Sequence, residues 1–176
     1  MDIYLVRHTS VDVPPGHTYG HTDVPLRPTF EEEASAVKAK LNGILFDKVY
    51  TSPLSRCVRL ANYCGFPDAE QADDLKEIDF GEWEMKSWDE LSADPRSADW
   101  FADWINTPAP QGESMSGLYR RVSRFLDKLR AGNREKVCLF AHGGVLTCAR
   151  IYAGLYKMEK AFDNMPEYGA VIKIRV

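Results

Sequence analysis

Two histidines stand where apolar segments end, and a histidine in such a place can act as a nucleophile. His8 follows the run Asp2–Arg7, and His142 follows the run Lys136–Ala141. Both runs are typical of buried strands, and the carboxyl ends of parallel strands form the ligand-binding edge of a sheet. A neutral imidazole can attack phosphorus when its other nitrogen is held by an acceptor. The two segments therefore predict one site that holds both histidines.

Arginines near the predicted strand ends indicate that the ligand is a phosphate. Arg7 precedes His8, and a guanidinium at the end of an apolar strand is costly unless it is paired. Its planar fork suits two phosphate oxygens at once. Arg56 falls in the first turn of a predicted helix, where a cation opposes the helix dipole, so a bound anion explains it better than helix stability does. Arg59, one turn further on, is a rival that residue types alone do not exclude.

Gly143 and Gly144 follow His142 and allow a sharp turn from a strand into a helix. Without a side chain, they let backbone N–H groups approach a ligand closely. The N-terminus of the helix that follows also favours an anion. We therefore expect the N–H of Gly143 to contribute to the phosphate site.

An acidic stretch from Leu75 to Glu84 contains the candidates for a general acid. Phosphoryl transfer to a poor leaving group needs such an acid, and a phosphate bound nearby favours the protonated form of a carboxyl. Residue types alone do not choose among the four carboxylates, which are Glu77, Asp79, Glu82 and Glu84.

The pattern along the chain alternates strands with helices. It predicts a three-layer α/β/α sandwich with a mostly parallel central sheet, as a single domain over residues 1–176. The predicted strands are Asp2–Arg7, Ile44–Thr51, Lys136–Ala141 and Gly169–Val176.

Start signals and apolar spacing predict the helices between these strands. Thr29 and Glu32 form the pattern of a capping box, and Ser52 and Pro53 are expected as the N-cap and first residue of the next helix. Two tryptophan-rich helical pieces are expected on either side of Pro95. A long amphipathic helix is predicted from Met115 to Leu129, and a last one from Gly143 to Tyr156.

Composition narrows the range of partners. The chain has 176 residues, 44% of them hydrophobic and 27% charged, with a net charge of −4. This mix predicts a packed core and no general affinity for nucleic acid or an anionic membrane, so positive charge must be concentrated in a pocket. The chain has no stretch as long as a membrane span, and its first residues are too soon interrupted by charge for a signal peptide. The cysteines show no Cys-x-x-Cys spacing, so we expect reduced core residues and a cytoplasmic protein.

Five segments of the chain resemble, in the same order, those of the histidine phosphatase superfamily, also called the phosphoglycerate mutase-like family. The resemblance favours Arg56 over Arg59 and Glu77 among the carboxylates. The resembling segments run between Tyr4 and Leu146 and are Arg7-His8-Thr9, Thr51–Arg56, Leu75–Glu84, Gly112-Glu113-Ser114 and Ala141–Gly144.

The resemblance implies a phosphatase that works through a phosphohistidine. His8 is then the nucleophile and Glu77 the proton donor, while Arg7, Arg56, His142 and Gly143 hold the phosphate. No metal and no cofactor is expected. The partner is a small phosphate ester, and a homodimer through the exposed last strand is a further expectation.

The loop Val11–Leu26 is similar to that of α-ribazole phosphatases, which act late in cobalamin assembly. We therefore expect Thr9, Gly20 and Asp23 in a loop beside the substrate, and α-ribazole 5′-phosphate as a candidate ester. Two residues depart from the family pattern: Thr9 and Met85 stand where relatives commonly carry glycine.

Three other functions compete with hydrolysis of a small ester. A phosphoglycerate mutase-like phosphotransferase is disfavoured because such enzymes carry longer insertions. A non-catalytic module that binds phosphorylated ligands is disfavoured because His8, the acid and the arginines are all kept. A phosphoprotein phosphatase is not excluded by the residues.

Three tryptophans and two histidines are not assigned to the chemistry. Trp88, Trp100 and Trp104 are expected to pack in the core or in helices that cover the site. His17 and His21 are four apart, but the prolines and glycines around them make a metal-binding helix unfavourable, so both are expected in a loop near the leaving group.

Overall fold

One five-stranded sheet forms the centre of the molecule. The structure, a computed structural model, describes all 176 residues. Neighbouring strands are parallel except for the last strand, which runs antiparallel to the first. The strands, in the spatial order β3-β2-β4-β1-β5, are β1 (Asp2–Arg7), β2 (Lys48–Thr51), β3 (Glu70–Gln71), β4 (Lys136–Ala141) and β5 (Val171–Arg175).

Six helices connect or flank these strands, and short 3₁₀ turns lie in the connections after β3 and before β5. The helices are α1 (Phe30–Leu41), α2 (Ser55–Tyr63), α3 (Trp88–Ala93), α4 (Ser97–Ala102), α5 (Met115–Arg130) and α6 (Gly143–Tyr152).

The two faces of the sheet carry separate cores. Successive side chains of a strand point to opposite faces, so Ile3 and Leu5 of β1 pack with α5 and α6, whereas Val6 packs with α1 and α2. Strand β4 divides in the same way, with Leu139 on the first face and Phe140 on the second. The molecule is therefore the predicted three-layer sandwich with a mostly parallel sheet.

The helix α1 forms where it was predicted, but the capping box is wrong. Thr29 has φ −74° and ψ 3°, which differs from the extended backbone of a capping residue, and its side chain makes no cap hydrogen bond. Its hydroxyl instead donates to Glu33 Oε1 at 2.6 Å. Glu33 also accepts the backbone N–H of Ser10 at 2.8 Å, so it ties α1 to the loop that follows His8.

The helix α2 begins two residues later than predicted. Leu54 is its N-cap and Ser55 its first residue, so Ser52 and Pro53 belong to the connection. Ser52 is fully buried, and its hydroxyl lies 2.7 Å from His142 Nε2. The N-cap assignment of Ser52 was wrong because the hydroxyl is used by a residue far along the chain.

Other elements are shorter than predicted at their ends. Strand β2 starts at Lys48 rather than Ile44, and β5 spans Val171–Arg175. Helix α6 ends at Tyr152 rather than Tyr156, followed by Gly154 with a left-handed φ of 75°. The two helical pieces flanking Pro95 and the long helix from Met115 are confirmed.

The outermost strands are β3 and β5. Lys173 of β5 pairs with Asp2 at 2.6 Å, and a homodimer through this edge stays a prediction. None of the helices combines the length and the hydropathy that a bilayer crossing requires.

Candidate active site

The ends of two neighbouring strands bring the two histidines together. Arg7 of β1 is in register with Ala141 of β4, so the residues that follow, His8 and His142, emerge side by side. Their ring centroids lie 5.2 Å apart, and the two residues are 1% and 0% exposed. The prediction that the two segments bring both histidines to one edge of the sheet is confirmed.

His8 has the tautomer that a nucleophile needs. Its Nδ1 lies 2.7 Å from the carbonyl oxygen of Thr9, which only accepts, so Nδ1 carries the proton and Nε2 keeps a lone pair. Burial lowers the pKa of His8 well below its usual 6.5, and the positive charges of Arg56 and Arg7 lower it further. The hydrogen bond to the Thr9 carbonyl raises the pKa but does not offset these effects. The imidazole is therefore neutral.

His142 is held by groups of the protein at both ring nitrogens. Nδ1 accepts the Nε–H of Arg56 at 3.3 Å, and Nε2 then donates to the hydroxyl of Ser52 at 2.7 Å. Burial and the adjacent Arg56 charge lower the pKa of His142 well below 6.5. A direct contact between His142 and a phosphate, as expected from the sequence, therefore requires exchange of the Ser52 bond.

Arg56 is the arginine that reaches the site. It is fully buried, and it donates from Nη1 to the carbonyl of Thr22 at 3.0 Å and from Nη2 to that of Gly20 at 2.6 Å. Arg59 instead is exposed and packs over the ring of Phe30. The structure thus separates the two arginines that residue types left open.

The loop that receives Arg56 is held by one carboxylate. Glu84 accepts the backbone N–H groups of Gly20, His21 and Thr22 at 3.0–3.1 Å and that of Phe80 at 3.0 Å. Burial opposes the charge, but these hydrogen bonds lower the pKa of Glu84 below its usual value. A Cβ on Gly20 would overlap the carbonyl oxygen of Ile78, so this close approach requires glycine. Glu84 is therefore a structural anchor of the loop.

Arg7 keeps donors free beside the start of α6. Its Nη1 donates to the carbonyl of Pro166, but its buried Nε has no partner. A Cβ on Gly143 would lie 3.1 Å from Arg7 Cζ, so Gly143 makes room for the guanidinium. As the first residue of α6, Gly143 also leaves its N–H without an intrahelical acceptor. Unpaired donors of Arg7 and Gly143 thus lie beside each other at the carboxyl edge of the sheet.

Glu77 faces that same helix start. Its Oε2 accepts the N–H of Gly144 and its Oε1 that of Ile78, both at 3.0 Å. The other three candidate acids are engaged elsewhere: Asp79 lies 3.5 Å from His21, Glu82 pairs with Arg96 at 2.7 Å, and Glu84 holds the loop described above.

A guanidinium from α5 holds the Glu77 segment, and sequence reasoning missed it. Arg121 donates to the carbonyls of Asp74, Lys76 and Glu77 at 2.8, 2.9 and 3.2 Å. It also pairs with Glu113 at 2.7 Å, which gives a function to the Gly112-Glu113-Ser114 segment. The only signal was that segment, because the partners are distant in sequence.

The residues predicted in the substrate loop have different surroundings. Asp23 accepts the N–H and the hydroxyl of Ser55 at 3.0 and 2.8 Å, so it anchors the start of α2. Thr9 is fully buried, and its hydroxyl has no hydrogen-bond partner. Gly20 supplies a carbonyl to Arg56. Met85, the second departure from the family pattern, has a left-handed φ of 61°, a conformation that glycine adopts with less strain.

An apolar cavity of about 280 Å³ opens next to Arg7, Glu77 and Gly144. Trp100 is buried, as expected for a core residue, whereas Trp88 and Trp104 are only partly covered, and all three face the cavity. Most of the wall is aromatic or sulfur-containing: Tyr19, Phe80, Trp88, Trp100, Trp104, Met115, Phe162, Met165 and Tyr168. His17 lies in this wall as well, whereas His21 contacts Asp79.

Comparison with known proteins gives a consistent assignment. The profile of the histidine phosphatase superfamily (branch 1) matches residues 3–176. The adenosylcobalamin/alpha-ribazole phosphatase of Salmonella typhimurium is 30% identical over 154 residues, which is 84% of this chain and 76% of that protein.

Solved structures share the fold. The α-ribazole phosphatase from Shigella flexneri superimposes with a TM-score of 0.90 at 24% identity, covering 100% of this chain and 91% of that one. A phosphoglycerate mutase from Thermus thermophilus superimposes with a TM-score of 0.76 at 30% identity, covering 98% and 92%.

The lowered pKa values of His8 and His142 predict a loss of stability at mildly acidic pH. The unfolded chain takes up protons at both histidines below pH 6.5, whereas the folded protein does not. The stabilisation that the two neutral histidines contribute is therefore complete above pH 6.5, and it decreases as the pH falls below that value. From pH 7 to 5.5 we expect a loss of roughly 1 kcal/mol for each histidine in the free energy of unfolding, measured by urea denaturation. His8→Asn should remove about half of this dependence; an undiminished pH dependence in the variant would contradict the prediction.

Proposed function

The chain belongs to branch 1 of the histidine phosphatase superfamily, and on that basis we propose that it hydrolyses a nucleoside 5′-phosphate with a flat apolar base, α-ribazole 5′-phosphate. The observation that carries the choice of substrate is the aromatic cavity that begins at Arg7 and Glu77. A phosphate placed at the free donors of Arg7 would have its ester group directed toward that cavity.

In the first step His8 Nε2 attacks the phosphorus. The P–N bond forms as the bond from phosphorus to the ester oxygen breaks, and protonated Glu77 gives its proton to the departing oxygen. The support for His8 is its tautomer, since Nδ1 is engaged by the Thr9 carbonyl at 2.7 Å and Nε2 is left for attack.

In the second step water hydrolyses the phosphohistidine. Glu77, now a carboxylate, takes a proton from the water as its oxygen bonds to phosphorus and the P–N bond breaks. Inorganic phosphate leaves, and His8 and protonated Glu77 are restored. The carboxylate faces Gly144 at the start of α6, on the side where the cavity opens, as a residue serving both the leaving group and the water should.

The phosphate is held by fixed positive charge. We assign the equatorial oxygens to Arg7, to the N–H of Gly143 and to Arg56, with His142 acting on the phosphate through its bond to Arg56 or after release of Ser52. Preorganised donors of this kind stabilise charge that develops in the transition state. The guanidinium groups offset the negative charge of the phosphate, as magnesium does in other phosphoryl transfer enzymes. The two steps proposed here therefore use no metal.

The cavity suits an aromatic leaving group better than a small charged one. Ten of its fifteen lining residues are hydrophobic, and Arg7 and His17 are the basic ones. A phosphoglycerate would place a carboxylate among tryptophan and methionine side chains, where an unpaired charge is costly. A benzimidazole-type base would stack there, which agrees with the names of the Salmonella and Shigella relatives.

Cellular location remains a proposal as well. The four cysteines are free and buried, which suits a reducing compartment, and we propose that the protein acts in the cytoplasm.

Glu77→Gln should slow substrates according to their need for an acid. For an alkyl ester such as α-ribazole 5′-phosphate we expect kcat to fall about 10²–10⁴-fold, because the alkoxide must leave unprotonated. The leaving group of p-nitrophenyl phosphate departs as a stabilised phenolate. For this ester the rate constant of phosphoenzyme formation should therefore fall much less. Single-turnover measurements with both esters separate the two cases, and equal slowing would rule out Glu77 as the acid.

The proposed substrate is tested by the pair of α-ribazole 5′-phosphate and ribose 5-phosphate, which lacks the base. Trp104→Ala should lower kcat/KM for the first by about 5- to 150-fold, the range that stacking on one aromatic side chain provides. The same variant should leave kcat/KM for ribose 5-phosphate nearly unchanged. Equal effects on both esters, or a higher kcat/KM for 3-phosphoglycerate than for α-ribazole 5′-phosphate in the unmodified enzyme, would refute the assignment.

A further inference from the structure

Two tyrosines from distant parts of the chain meet above the site. The hydroxyl of Tyr19, in the loop after β1, is hydrogen-bonded to that of Tyr168, just before β5. The Tyr168 ring lies 4.0 Å from the Arg7 guanidinium carbon and 5.6 Å from the ring of His8. The Tyr19 ring lies 5.5 Å from the guanidinium carbon of Arg56. The pair therefore spans the phosphate site from one arginine to the other.

The pair also separates two cavities. The aromatic cavity described above lies on one side, and a second cavity of about 300 Å³ lies on the other. The second cavity is walled mainly by the loop after β1, including Ser10, Pro14 and Arg27. Tyr19, Tyr168 and His17 line both cavities, so these three residues lie between the two spaces.

The backbone on either side of each tyrosine is fixed. The carbonyl of Pro166 accepts from Arg7, and the N–H of Gly169 donates to the carbonyl of His8 at 3.1 Å. On the other side, the hydroxyl of Thr18 donates to the carbonyl of Trp83, and Gly20 is held by Glu84. Because both backbones are anchored, the contact opens by rotation of the side chains, and Tyr168 is 41% exposed and has room to turn.

We propose that the hydroxyl-bridged pair Tyr19–Tyr168 is a barrier that sets the size of the leaving group. With the bridge closed, the ester group is confined to the aromatic cavity. With the bridge open, the two cavities join, and a larger leaving group extends into the second one. Bulky esters must therefore break the bridge on binding, whereas small ones do not. This inference rests on the proposed phosphatase function and names what limits its substrates.

The test compares two aryl esters whose leaving groups depart as stabilised phenolates. p-Nitrophenyl phosphate is small, and fluorescein monophosphate is far bulkier. Tyr19→Phe and Tyr168→Phe each delete one hydroxyl and keep the ring. We expect each variant to raise the ratio of kcat/KM for the bulky ester to that for the small ester by about fivefold, the factor that one net hydrogen bond provides. Tyr63→Phe, on α2 and packed against Phe30, is the matched control and should leave the ratio unchanged.

The double variant makes the test specific to the bridge. Because a single hydrogen bond is lost in each case, Tyr19→Phe/Tyr168→Phe should raise the ratio no more than either single change does. An unchanged ratio in the single variants, or independent effects that multiply in the double variant, would overturn the barrier. Failure of the unmodified enzyme to turn over either ester would instead overturn the proposed function and the barrier with it.

Discussion

The burial of one guanidinium shapes this site. Arg56 is fully buried at the carboxyl edge of the sheet, where an uncompensated charge would cost several kcal/mol. Its N–H groups are received by the carbonyls of Gly20 and Thr22 and by the ring of His142. Those acceptors must themselves be held in place, and Glu84 does so by accepting the N–H groups of the same loop. Ser52 completes the chain of hydrogen bonds at the far side of His142.

The reactivity of His8 follows from this arrangement. Burial and the nearby positive charges of Arg56 and Arg7 keep the imidazole neutral, and the Thr9 carbonyl selects the tautomer. The same charges attract a phosphate, so one set of residues prepares both the ligand site and the nucleophile. Glu77 is fixed separately, by Arg121 and by the start of α6, which places a carboxyl opposite the free donors of Arg7.

Local patterns were enough to predict much of the fold and of this site. Apolar runs that end at His8 and His142 defined two adjacent strands, and the spacing from Met115 defined α5. The functions of Ser52, Glu84 and Arg121 could not be predicted, because each depends on a partner far along the chain. Glu84 in particular was one carboxylate among four, and only its hydrogen bonds to the N–H groups of the distant loop at residues 20–22 distinguish it. Tyr168 lies outside every segment with a pattern, and its importance comes from the return of β5 beside β1.

In the proposed mechanism the phosphoryl group is transferred to His8 before it reaches water. The most direct measurement is rapid acid-free quenching of the enzyme with ³²P-labelled substrate, followed by peptide mapping. A phosphohistidine mechanism predicts an acid-labile, alkali-stable label on the peptide that contains His8, formed within the first turnover, and neither label nor turnover in His8→Ala. Full turnover by His8→Ala, or a label on any other residue, would contradict it.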